Sequence, residues 1–383
     1  MGHTPIFHHS ILPAFCNLKN MEATSKIRNV LGLTLSSPLV IAGPCSAETE
    51  EQVLQTAREI AATKRVSIFR AGIWKPRTRP GQFEGIGSIG LEWLKKAKAE
   101  TGLPTAVEVA NVKHVYEALR MGVDFLWIGA RTTVNPFSVQ EIADSLKGVN
   151  VPVLIKNPVN ADLDLWIGAI ERIQKAGITK IGAIHRGFSS ADKSQYRNKP
   201  MWELPIELKR RMPDIPMICD PSHICGNREL LFGVAQTAID LDYEGLMIET
   251  HCNPAVALSD AKQQVTPAEL DKIIDKIVVR LSSVEDRKFL SSLEDFRDRI
   301  DELDTNLISL LANRMEIARS IGEYKKKNGV TILQNARWSE IVEKRTKDGM
   351  DKKLTADFVM KIFESIHQES IHHQKQVMAN GKH

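Results

Sequence analysis

The chain has 383 residues, 43% of them hydrophobic, with 51 basic and 47 acidic side chains and a formal net charge of +4. That is enough apolar material for one large core and a second, smaller domain. The near balance of charge, without a long basic tract, excludes nucleic acid as the main partner, and no apolar run approaches the roughly eighteen residues that span a bilayer.

Residues 1–37 are polar and irregular, apart from a strand near Leu31–Leu35 that could cap a barrel floor. The opening MGHTPIFHHSILPAF lacks the basic start and continuous apolar core of a secretory signal. From Leu39 onward, eight apolar runs alternate with helical stretches, and nearly all end in a charged or metal-capable residue. LVIAGPC ends at Cys45, SIFRAGIWKPR contains Arg70 and ends at Lys75 and Arg77, and TAVEV encloses Glu108. FLWIGAR stops at Arg131, PVLIK at Lys156 and KIGAIHR at Arg186, while PMICDPSH reaches His223 and GLMIETH carries Glu249. Eight such units predict a (β/α)8 TIM barrel, whose reactive side chains stand at the strands' carboxyl ends. Asn135-Pro136 and Thr266-Pro267 mark helix starts, each placing a capping side chain before a first-turn proline. The polar stretch Ser189–Lys199 reads as a loop over the site. Five cysteines, odd in number and widely spread, suggest no disulfide framework and fit a reducing cytoplasm.

Near Ser282 glycine becomes scarce and the remainder is helical. An apolar stripe runs from Leu293 to Ile321, a break falls at Asn328-Gly329, and a second helix covers Asn335–Arg345. A third helix, Thr355 to about Met378, follows an Asp348-Gly349 turn. The boundaries read as an N-terminal segment 1–37, a barrel 38–282, a linker 283–290 and an all-α domain 291–383. Long helices with thin stripes complete their core by pairing with another chain, so an intertwined homodimer is expected.

Six cations at one barrel mouth would repel one another without an anionic ligand, which points to phosphate or carboxylate substrates. GIGSIG at Gly85–Gly90 matches GxGxxG in form, but it follows no strand and is read as a flexible loop. Cys45, His223, Glu249 and Asp260 have no compact ligand spacing. Barrel closure makes the first and eighth strands neighbours, so the first three converge, and Asp260 could reach in from its loop. A thiolate, an imidazole and two carboxylates suit Mn2+, Fe2+, Co2+ or Zn2+, with His251 and Cys252 as competing ligands.

IAGPCSAE, FRAGIWKPRTRPGQFEGIG, GAR at Gly129–Arg131, DPSH at Asp220–His223, and ETH with LSD at Leu258–Asp260 resemble 3-deoxy-D-arabino-heptulosonate 7-phosphate (DAHP) synthase. The likeness is to the compact branch related to 3-deoxy-D-manno-octulosonate 8-phosphate synthase. Pro76 favours the heptulosonate enzyme, because the octulosonate enzyme typically has asparagine there; the latter is the nearest alternative. The resemblance implies that Arg131, Lys156 and Arg186 hold the phosphate of phosphoenolpyruvate, with Arg70 and Lys75 on its carboxylate. Arg77 and Thr78 would hold the phosphate of erythrose 4-phosphate, and Glu108 would position a water. Cys45, His223, Glu249 and Asp260 would bind one divalent metal, Mn2+ first. Lys75 would give a proton to the aldehyde oxygen.

In the tail, Arg314 and Lys325 lie eleven residues apart, within about 20° of one helix face at 3.6 residues per turn. Arg297 falls roughly 100° away by the same count. FRDRIDELDTNLISLLANRMEIARSIGEYKK, then Arg337, then ESIHHQ at Glu369–Gln374 resemble the all-helical class of chorismate mutase. The resemblance implies that Arg297 from a partner protomer, Arg314 and Arg337 clasp the carboxylates of chorismate. Lys325 and Gln374 would bind its ether oxygen, assisted by Ser370. Trp338 stands where the family usually has a glutamate, and Gln334 replaces a common aspartate. A dimerising or ligand-sensing tail without efficient catalysis is therefore the rival reading. Because DAHP lies several steps upstream of chorismate, direct transfer between sites has no chemical basis. Modulation of the barrel by chorismate or prephenate is expected instead.

Overall fold

The computed structural model describes residues 28–35, 38–75, 81, 83–191, 194–280, 287–333 and 335–379. The chain divides into two compact units, Met1–Ser282 and Ser283–His383. The first opens with an antiparallel hairpin, β1 (Arg28–Val30) and β2 (Leu33–Leu35). Eight parallel strands follow: β3 (Leu39–Gly43), β4 (Ile68–Arg70), β5 (Thr105–Val109), β6 (Phe125–Ile128), β7 (Val153–Lys156), β8 (Ile181–His185), β9 (Met217–Cys219) and β10 (Gly245–Glu249). They close in sequential order, with β10 pairing β3 from Gly245↔Leu39 to Glu249↔Gly43. The expected barrel is therefore observed, and closure joins the strand that leads into Cys45 to the strand that ends in Glu249.

Alternation along the strands separates two apolar layers. Leu39, Ile41, Ile68, Ala106, Trp127, Leu154, Ile184, Ile218 and Met247 form one cluster inside the barrel, together with Val30 and Leu31 of the hairpin. Val40, Phe69, Val107, Leu126, Ile155 and Ile248 belong to the other, which faces the helices. Moving two residues on from the inner set reaches Arg70, Glu108, Lys156, Arg186, Asp220 and Glu249, because side chains of a strand alternate faces with period two. The core and the polar mouth are thus successive layers of one barrel interior.

Helix ends follow local chemistry. Asn135 caps the helix Pro136–Ser145 through its side-chain oxygen, and Thr266 forms a capping box with Glu269 at the helix Pro267–Lys276. Asp220 caps the short helix Pro221–Cys225, accepting from His223 N at 3.1 Å. The GIGSIG segment is a loop through Ser88, while its last two residues, Ile89 and Gly90, open the helix Ile89–Thr101. Gly87 N donates to Ile73 O and Lys75 N to Glu84 O, so the loop braces the segment bearing Lys75.

Among the described residues the second unit comprises three helices, Arg287–Lys327, Asn335–Asp351 and Ala356–Ala379. The first begins inside the stretch expected to be linker. The second corrects the expected Asp348-Gly349 turn: it continues through Gly349, and the reversal follows with Lys353 at a φ of 65°. A Cβ on Gly349 would stand 2.3 Å from Val359 Cγ2, so glycine here serves close helix packing. Phe296, Ile300, Leu303, Leu307 and Leu310 remain more than half exposed on the long helix. No described helix is long and apolar enough to cross a membrane.

Candidate functional site

The barrel mouth gathers Cys45, Arg70, Lys75, Glu108, Arg131 and Lys156 with Arg186, His223, Glu249 and Asp260 around one cavity. Of the barrel residues singled out from the sequence, Arg77 and Thr78 lie outside the described residues, and the competing ligands His251 and Cys252 do not line the cavity. Cys45 follows β3, and Lys75 follows β4 after a bend at Ile73-Trp74. Lys75 Nζ donates to Cys45 Sγ and, at 3.2 Å, to Cys45 O, and lies 3.8 Å from Asp260 Oδ2. Cys45 Sγ is 3.2 Å from Asp260 Oδ2. Arg70 NH1 reaches Glu249 Oε1 at 3.4 Å, and its guanidinium lies 4.8 Å over the Trp127 ring.

Ligand atoms of Cys45, Glu249 and Asp260 lie within 4.8 Å of one another and could hold a metal ion. His223 stands beside this trio, with Nε2 3.7 Å from Glu249 Oε1 and Nδ1 2.8 Å from Asp220 Oδ2. A soft sulfur, an imidazole and two carboxylates fit a borderline divalent ion. Burial and the neighbouring Glu249 push the Cys45 thiol up to about 12, against the pull of Lys75. Burial holds the His223 imidazole below its ordinary value, with Asp220 opposing. A neutral imidazole is the form that binds metal. His251 and Cys252, the competing candidates, lie outside the trio; His251 Nδ1 accepts from Asn253 N at 2.9 Å instead.

The other half of the mouth is cationic. Arg70, Lys156 and Arg186 are each under 10% exposed. Burial pulls Arg186 down to about 10; Asp220 resists this, while Arg197 and Arg131 add to it. Arg186 therefore still carries its charge at neutral pH, and an anion there relieves the repulsion among these crowded groups. Glu108 stands among them, held by Trp127 Nε1 at 3.1 Å. A Cβ on Gly129 would lie 1.9 Å from Glu108 Oε1, so the glycine leaves the carboxylate its space.

Three contributors were missed in the sequence. Asp220 accepts Lys156 Nζ at 2.7 Å, Trp127 floors Arg70 and Glu108, and Arg197 lines the cavity. Strict alternation from Ile218 and Phe125 would have aimed Asp220 and Trp127 inward. Nothing in the loop composition marks Arg197.

The helical unit has a second cavity of about 450 Å³, within the range of small-molecule sites. Arg314, Lys325, Arg337, Ser370 and Gln374 line it, as does Trp338, which stacks on His367 at 4.1 Å. Arg314 NH1 donates to Ser370 Oγ at 2.5 Å, and Lys325 Nζ to Ile332 O at 2.5 Å. Gln374 Oε1 is buried with no hydrogen-bond partner among the described residues. Arg297 is not among the lining residues and pairs with Glu294 at 3.2 Å on the exposed helix surface. Gln334 lies outside the described residues.

Residues 30–283 match the DAHP synthetase I family, and residues 296–375 match chorismate mutase type II. A phospho-2-dehydro-3-deoxyheptonate aldolase of Thermotoga maritima is 31% identical over 250 residues, covering 63% of this chain and 72% of that one. A 2-dehydro-3-deoxyphosphooctonate aldolase of Paraburkholderia xenovorans is 27% identical over 281 residues, 66% of this chain and 94% of the other. The crystal structure of the Thermotoga maritima DAHP synthase superposes with a TM-score of 0.57 at 29% identity, covering 64% of this chain and 69% of that chain.

Proposed function

Because the chain belongs to the DAHP synthetase I family and carries a type II chorismate mutase domain, we propose residue roles for two reactions. The barrel is a 3-deoxy-7-phosphoheptulonate synthase that joins phosphoenolpyruvate to erythrose 4-phosphate and releases phosphate. The helical unit is a chorismate mutase that yields prephenate. Both serve aromatic amino-acid biosynthesis and act on small molecules.

The observation that carries the barrel roles is one cavity with buried cations on one side and a thiol–carboxylate trio on the other. Arg131, Lys156 and Arg186 hold the phosphate of phosphoenolpyruvate, and Arg70 with Lys75 its carboxylate. Arg77 and Thr78 hold the other phosphate. Cys45, His223, Glu249 and Asp260 hold a divalent ion, Mn2+ before Fe2+, Co2+ or Zn2+, which would supply Lewis acidity at the aldehyde oxygen. Lys75 gives that oxygen a proton as the methylene carbon of phosphoenolpyruvate attacks the aldehyde. Glu108 holds the water that adds to the resulting cationic carbon, and phosphate leaves by C–O cleavage. Fixed cations are needed because two anionic substrates must lie side by side. The test is turnover of the two substrates after chelation, followed by restoring single metals; turnover unaffected by a chelator refutes the metal role. Arabinose 5-phosphate in place of erythrose 4-phosphate tests the octulosonate alternative, which the Paraburkholderia relative keeps in view.

In the helical cavity Arg314 and Arg337 clasp the carboxylates of chorismate, while Lys325 and Gln374 meet the ether oxygen and Ser370 steadies Arg314. The rearrangement needs only restraint and charge stabilisation in the transition state. The exposed apolar stripe on Arg287–Lys327 supports a homodimer in which Arg297 enters the partner's cavity; sedimentation velocity as a monomer would refute it. Prephenate bound in this unit modulates the barrel, a role tested by synthase kinetics at saturating prephenate. The cytoplasm suits a chain whose described cysteines are all free.

A further inference from the structure

We propose that Arg197, on the loop after β8, is a positioning residue that sets the affinity of the barrel site for a divalent ion. This rests on reading Cys45, His223, Glu249 and Asp260 as the ligands. Arg197 NH1 donates to Asp260 Oδ1 at 2.9 Å and to Gln263 Oε1 at 2.8 Å. Gln263 Nε2 in turn donates to Glu249 Oε2 at 2.6 Å. Each carboxylate thus has one oxygen tied outward and the other turned toward the site, where Glu249 Oε1 also meets Arg70 NH1 at 3.4 Å. Asp260 Oδ2 is the oxygen 3.2 Å from Cys45 Sγ, and Glu249 Oε1 is the one 3.7 Å from His223 Nε2.

The same loop also holds the third ligand. Arg197 N and Asn198 N donate to Cys225 O and Ile224 O, and Asn198 Nδ2 donates to His223 O at 2.6 Å. Gly226 permits this docking, since a Cβ there would lie 2.5 Å from Arg197 Cβ. Two adjacent loop residues therefore organise ligands contributed by three separate segments. Outer partners that orient ligating groups typically change metal affinity 10–100-fold.

Charge and positioning predict opposite signs. Arg197 is a cation beside a cation site, so by charge alone its removal should tighten metal binding. If it positions the carboxylates, its removal should loosen binding. The experiment measures Mn2+ dissociation constants of the full chain by titration calorimetry for wild type, Arg197→Met, Arg197→Lys and Gln263→Leu. Far-ultraviolet circular dichroism and thermal unfolding of each metal-free variant serve as the check on folding. The expected result is binding weakened at least tenfold in Arg197→Met. Gln263→Leu, which changes no charge, should weaken it severalfold, and Arg197→Lys should not recover wild-type affinity. If Arg197→Met fails to fold, Gln263→Leu decides by itself. Affinities equal to or tighter than wild type overturn the inference and leave the ligand assignment standing, whereas a wild-type chain that binds no Mn2+ overturns both.

Discussion

Lys156 Nζ donates to Asp220 Oδ2 at 2.7 Å, and both side chains are almost completely buried. The pair joins the ends of β7 and β9 across the barrel, and Asp220 also lies 2.8 Å from His223 Nδ1. One carboxylate therefore holds a cation of the phosphate site and lies against an imidazole of the metal site. Removing one member of a buried pair costs about 3 kcal/mol or more. Asp220→Ala is expected to lower the barrel's stability by that order and to raise the KM for phosphoenolpyruvate. Denaturant unfolding and initial-rate kinetics check this, and an unchanged KM would mean that Lys156 is held by other contacts.

Gly129→Ala is expected to disable the synthase with little loss of stability. The new Cβ would meet the end of the Glu108 side chain, which can rotate away if it gives up its bond to Trp127. The loss should fall on kcat, by about 10²-fold or more for a displaced acid–base group. A variant with wild-type kcat would remove Glu108 from the chemistry.

His185 gives the barrel a pH-dependent stability. Its Nε2 lies 2.6 Å from Pro200 O and its Nδ1 3.2 Å from the Tyr243 hydroxyl, a neutral ring inside the fold. Burial lowers it from 6.5 to about 4, although Pro200 O favours the charged form. Below pH 6.5 the unfolded chain takes up a proton that the folded one refuses, so stability is full above 6.5 and falls toward pH 4. The lost contribution is about 3 kcal/mol, from about 1.4 kcal/mol per pH unit. His114 and His223 are also held low and add the same sign. Unfolding midpoints measured between pH 7.5 and 4.5 should show the decline, less steeply in His185→Gln.

Arg314→Ala should cut mutase kcat/KM on the order of 100-fold, the loss expected of a charged hydrogen bond at about 3 kcal/mol. Ultraviolet loss of chorismate measures it. A wild-type chain no faster than the uncatalysed background would favour the sensing role that Trp338 raises.

Most of the barrel site was legible because strands announce their ends. An apolar run ending in Lys156 or Glu249 fixes the layer its last side chain occupies, since alternation leaves no other face. Asp220 was passed over because it also begins a short helix, and a capping residue carries the same letters as a catalytic one. Gly349 misled in the opposite direction: the glycine of a turn and the glycine of a close helix contact read alike until Val359 is seen against it.

The sequence by itself determined the fold class, the two units and the chemical types present, because periodicity and strand-end charge are local properties of the chain. Tertiary structure decided which groups meet. Asp260 reaches Cys45 across 215 positions, and Arg197 reaches Asp260 across 63. Such encounters depend on ring closure and loop docking, and a loop side chain's direction is set by the backbone it lies against rather than by any repeat in its own segment.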